Sequence, residues 1–139
     1  MIYTPLKTKT IMVDVFDIYV SVLLSQKQFE AFIEMNDIYD TRMGNLQWEA
    51  INGCYAYLLD GNAQAYYILV LRTHDIYTII HECVHLVHSI VDHLGIPLTI
   101  QNTETIAYMT TSLCKKAMVV VEEYTKEHEK KKKKKKVKV

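Results

Sequence analysis

The chain has 139 residues, half of them hydrophobic, which is enough for one domain with a modest core. Its formal charge is zero, yet the 16 basic and 16 acidic residues are unevenly placed: Lys130 to Lys136 and Lys138 hold eight of the basic ones, and every acidic residue precedes them. Residues 1–129 therefore carry 8 basic against 16 acidic groups, a net of −8, which excludes specific nucleic-acid binding by the folded body.

Residues 1–10 read as a loose arm. From Ile11 to Leu24 the chain is rich in Val, Ile, Tyr and Phe with partial alternation, and predicts one strand, bulged near Asp17. Ser25-Gln26-Lys27-Gln28 is an S-x-x-Q capping box, followed by Phe29, Phe32 and Ile33 at helical spacing, so a short helix is expected over about 26–36. Residues 37–51 are ambiguous, with a turn at Gly44-Asn45. Cys54 to Leu59 predicts a second strand, Asp60-Gly61-Asn62 a hairpin turn, and Ala63 to Arg72 a third strand. A central helix follows from about 75 to 94, stopped by Gly95 and Pro97. Asn102 or Thr103 caps a last helix over about 103–125. The expected fold is α+β: a three-stranded sheet on a short helix and two long ones, with residues 1–126 as one domain and 127–139 as a disordered lysine-rich tail.

No stretch of 18 apolar residues exists, so no membrane span is expected. The first apolar run is interrupted by Asp14 and Asp17, unlike a signal peptide. Cys54, Cys83 and Cys114 form no C-x-x-C pair, which suits a reducing, cytoplasmic setting better than a disulfide scaffold.

The chemistry concentrates in His81-Glu82-Cys83-Val84-His85, an H-E-x-x-H sequence. Residues four apart on a helix stack on one face, so both imidazoles can reach one zinc ion, with the glutamate beside the metal as a base. With His81 at zero on a helical wheel, His85, His88 and Asp92 fall within about 40° of it and Glu82 about 100° away. The apolar residues Ile76, Ile79, Ile80, Cys83, Val84, Val87, Ile90, Val91 and Leu94 fill an arc from about 160° to 300°. The histidines thus lie on a polar stripe opposite the core face, which also places Cys83 in the core.

A catalytic zinc needs a third protein ligand. Glu104, near the start of the last helix, is the candidate, because the Gly95-Ile96-Pro97 turn lets that helix fold back on the central one. On its wheel Glu104 lies on the polar face, opposite Ile106, Met109, Leu113, Ala117, Val120 and Val121; the competing reading is a carboxylate that merely favours a helix N-terminus. His88 lies seven residues from His81, roughly 10.5 Å of helical rise, too far to share one ion. It is left as a second-shell candidate or a plain surface residue.

With these residues in place the sequence resembles the gluzincins, zinc peptidases with H-E-x-x-H on one helix and a glutamate on the next. The gap from His85 to Glu104 is similar to that of membrane alanyl aminopeptidases, and Glu104-Thr105-Ile106-Ala107 to their E-G-F-A segment. The whole resembles small H-E-x-x-H proteins of bacteriophage and prophage genomes, which follow H-E-C-x-H with a glycine turn and an N-x-E-x-x-A-Y segment, here Asn102 to Tyr108. The resemblance implies a minimal zincin-like fold, zinc on His81, His85 and Glu104, and Glu82 as general base. It also implies an extended peptide substrate lying along an edge strand that ends near Arg72. The chain departs from the pattern in three ways. Tyr108 stands where thermolysin-like enzymes carry an aspartate, the G-A-M-E-N segment is missing, and no downstream histidine is placed to stabilise an oxyanion. Tyr108 is a candidate for that oxyanion role or for a second-shell one.

Three functions compete on this reading: a zinc-dependent peptidase, a zincin-fold binding or inhibitor module of phage origin without turnover, and a structural metal site. Retention of Glu82 argues against the last, since a structural site needs no base. The lysine tail is expected to attract anions non-specifically through charge alone.

Overall fold

The computed structural model describes residues 8–13, 18–35, 47–59 and 65–137. Among the described residues four strands form one mixed sheet: β1 (Lys9–Val13), β2 (Ile18–Leu23), β3 (Gly53–Leu59) and β4 (Ala65–Leu71). Their order across the sheet is β1-β2-β4-β3, with β2 and β4 parallel and the outer pairs antiparallel. Three helices accompany them: α1 (Gln26–Met35), α2 (Ile76–His93) and α3 (Thr103–Val137).

The expected single strand over Ile11–Leu24 is two strands, so the sheet has four strands rather than three. Val13 pairs with Ile18 and Lys9 with Val22, so the chain reverses between them. The bulge expected near Asp17 and the turns at Gly44-Asn45 and Asp60-Gly61-Asn62 lie outside the described residues. The strand ending near Arg72 is also not an edge: β4 is paired on both sides, and among the described residues β1 and β3 are the edge strands. The reason is burial on both faces of β4. Tyr67, Leu69 and Leu71 face the core under α2 and α3, while Ile68 and Val70 face the cluster built on Phe29 and Phe32 of α1. A strand with five successive buried residues belongs in a sheet interior.

Helix boundaries follow local chemistry. In α1 Ser25 caps the helix, with Gln28 N donating to Ser25 Oγ at 3.1 Å, while the Gln28 side chain reaches one residue further back and accepts from Leu24 N at 2.8 Å. Asp75 caps α2, accepting from Thr78 N at 2.9 Å. At the other end Gly95 N donates to Asp92 O and Ile96 N to Val91 O, the two bonds of a Schellman cap, with Gly95 at φ 70. A 3-10 turn at Ile100–Asn102 then leads into α3, so Thr103 is the first helical residue and the Asn102 side chain donates to Pro97 O.

Helix α3 packs antiparallel on α2. The Cys83 and Cys114 thiols are in hydrogen-bond contact, and the rings of His74 and Tyr124 meet edge-on at 5.4 Å. α3 continues to Val137, well past the expected end near 125, so residues 126–137 are helical and exposed where a disordered tail was expected. Lysine is a good helix former, and Glu127 and Glu129 each stand four residues before a lysine, which suits a helix. No helix among the described residues is long and apolar enough to cross a membrane.

The Gly95 conformation gives a test. A Cβ at this position meets nothing within 4 Å, so Gly95→Ala carries only the left-handed backbone penalty, about 1–2 kcal/mol. Gly95→Asn, which tolerates that backbone, recovers part of the loss in urea unfolding. Equal stability of all three proteins contradicts the cap.

Candidate metal centre

The edge strand β3 runs beside α2, and alternate residues of β3 face it. At Gly53 a Cβ would lie 2.7 Å from Glu82 Cγ, 2.9 Å from Val70 O and 3.2 Å from Thr78 Cγ2. Glycine therefore lets the Glu82 side chain lie across the strand. Two residues on, the Tyr55 ring stacks on His85 with centroids 5.5 Å apart and planes 14° apart. Two further on, Tyr57 stacks on His93 at 3.9 Å, and Tyr67 Oη is 2.9 Å from His93 Nδ1. Burial pushes the Tyr67 hydroxyl up to about 12, so it stays protonated in that contact.

The histidine pair sits on top of this seam. The rings of His81 and His85 have centroids 4.7 Å apart at 74°. His81 Nε2 is 4.0 Å from Glu82 Oε1, and the His81 side chain is 66% exposed. Glu82 itself is only 8% exposed. Burial raises its pKa above the ordinary carboxylate range, and the neighbouring His81 and His85 partly offset that rise. Cys54, next to Gly53, points to the opposite face, against the Phe29–Phe32 cluster. Its thiol is pushed up to about 11 by burial and by the Glu82 charge.

Glu104 does not meet the histidine pair. Cys114 of α3 stands opposite Cys83 of α2, and Glu104 lies ten residues before Cys114, about 15 Å along the α3 axis. In an antiparallel pair that displacement carries it toward the His93 end of α2. The flank is also wrong: α3 packs on the Cys83 side of α2, about 200° round from His81, whereas β3 takes the side of His85 and Glu82. Tyr108, on the same stretch of α3, is 62% exposed. His88 is exposed on the polar stripe of α2. Among the described residues no three His, Cys, Asp or Glu side chains are grouped to hold a metal ion. The two imidazoles, one turn apart on a rigid helix, fit two positions of a zinc site; Glu104 does not fit the third in this packing.

Gly53 and Tyr55 were not among the residues singled out by the sequence. Their signal is the period-two series Gly53, Tyr55, Tyr57, which puts one glycine and two tyrosines on one face of a strand. Comparison of the chain with protein families, with characterised proteins and with solved structures finds no match.

Two measurements check this geometry. Gly53→Ala forces the Cβ into Glu82 and the Val70 carbonyl, and destabilises by about 1–3 kcal/mol. An unchanged urea midpoint contradicts the close approach. The second uses pH, in chelator. The raised Glu82 pKa means the folded chain holds its proton where the unfolded chain has lost it. Stability contributed by this group therefore falls as pH rises from 4.5, the ordinary value, through the raised one. Glu82→Gln removes that dependence, so the variant gains on the wild type as pH rises above 4.5. A variant that loses ground over this range contradicts the buried carboxylate.

Proposed function

We propose that the protein is a zinc-dependent hydrolase of peptide bonds, with His81 and His85 as metal ligands and Glu82 as general base. The observation that supports this most is the pairing of two exposed imidazoles, one helical turn apart, with a buried carboxylate of raised pKa 4.0 Å from one of them. Zinc, when bound, supplies Lewis acidity, which polarises a carbonyl and makes water easier to deprotonate. Burial makes Glu82 hold a proton more readily than an ordinary carboxylate, which suits Oε1 to take one from water and return it to a leaving amine. Gly53 sets the depth of that carboxylate, and Tyr55 holds the His85 ring by stacking on it. An extended peptide adds to the edge of β3, unpaired among the described residues and beside the histidines, by main-chain hydrogen bonding.

A second reading, a binding module without turnover, is favoured by the openness of the pair: His81 is 66% exposed and stands above an open sheet edge. On this reading water and substrate, rather than Glu104, take the two remaining metal positions.

Three variants test the proposal. His81→Ala abolishes zinc binding. Glu82→Gln keeps zinc and loses hydrolysis of a diverse peptide pool by at least about a hundredfold. Glu104→Ala keeps zinc affinity within about threefold. Zinc loss in Glu104→Ala means that α3 shifts along α2 to bring the carboxylate in; no hydrolysis by zinc-loaded wild type moves the reading to the binding module.

A further inference from the structure

Helix α3 has two unlike halves. From Met109 to Val121 it buries an apolar face in the core, and Tyr124 is its last partly buried residue. From 125 to 137 every residue is exposed. This second half extends about 20 Å past Tyr124, and Lys130 begins about 9 Å out. That distance is about one Debye length at physiological salt, so the charge of the acidic body is largely screened there. Glu122, Glu123, Glu127 and Glu129 lie between body and lysines and separate the two signs along the helix.

Seven consecutive lysines at about 100° per residue reach every side of the helix. The result is a cationic rod rather than a cationic face. A flat anionic lipid surface would meet only about half of such a rod, and residues 125–136 carry no apolar stripe to insert. The major groove of B-form DNA differs: it is about 12 Å wide, admits an α-helix of about 10–12 Å diameter, and has phosphates along both walls. Lysine contacts to phosphate position a protein without reading bases.

We infer that residues 130–136 form a helical cationic rod that docks in the major groove of duplex DNA without sequence preference. The acidic body is held outside the groove by the glutamates that precede the rod. Duplex RNA is a poorer partner, because its major groove is too deep and narrow for a helix. The inference does not depend on zinc or on hydrolysis.

The test uses the full chain and a labelled duplex of about 20 base pairs, followed by anisotropy at several salt concentrations. With seven lysines the logarithm of affinity falls against the logarithm of salt with a slope of about −4 to −6. Changing all seven residues, Lys130→Gln through Lys136→Gln, keeps helix propensity and lowers affinity at low salt at least about a hundredfold, with the thermal midpoint unchanged. Lys133→Pro breaks the rod while removing one charge, and weakens binding more than Lys133→Gln does. The inference is overturned by any of four results: no duplex binding by the wild type, equal binding to duplex RNA, tighter binding to phosphatidylserine vesicles, or equal effects of Lys133→Pro and Lys133→Gln.

Discussion

The candidate site rests on one close approach, the Glu82 side chain laid across the Cα of Gly53. A carboxylate on the border between core face and polar stripe of a helix would ordinarily turn outward to water. Here the glycine opens a slot on the edge strand, so the carboxylate packs at 8% exposure while its helical neighbours His81 and His85 stay outside. Burial raises its pKa, and the neighbouring His81 and His85 partly offset that rise. The seam continues through Tyr55 on His85 and Tyr57 on His93, which fixes α2 against β3 along its length.

The same seam leaves the other flank of α2 to α3. Ile79, Cys83, Leu86, Val87, Ile90 and Val91 are buried on α2, and Met109, Leu113, Ala117 and Val120 on α3. The helical hairpin is therefore held by a continuous apolar interface, and sliding α3 by several residues would require repacking all of it. This is why Glu104, on a polar face at the far end of the hairpin, stands apart from the histidines.

Helices α1 and α2 and their caps were legible because each is set locally. Ser25 with Gln28, and Gly95 before Pro97, determine their own neighbourhoods, and α1 and α2 begin and end within about two residues of where spacing puts them. The hairpin of β1 and β2 was not legible. Val13 and Ile18 break the alternation by one residue, and a bulge and a reversal shift the phase alike. Nor could periodicity tell which strand is the edge, since that depends on pairing between distant segments. At the site, the wheel put His81 and His85 on a polar stripe, and both are exposed, but it gave no sign that Glu82 is buried. For Glu104 it gave the face but not the height, because the register of two antiparallel helices is set by which side chains interlock, here Cys83 with Cys114.

Imidazole NMR during a zinc titration measures the central claim most directly. The account predicts that one equivalent of zinc shifts the ring nitrogens of His81 and His85 together, while those of His74, His88, His93 and His128 are unchanged. Shifts that begin at His88 or His93, or no change at His81 and His85 at full equivalence, would contradict a metal centre at this seam.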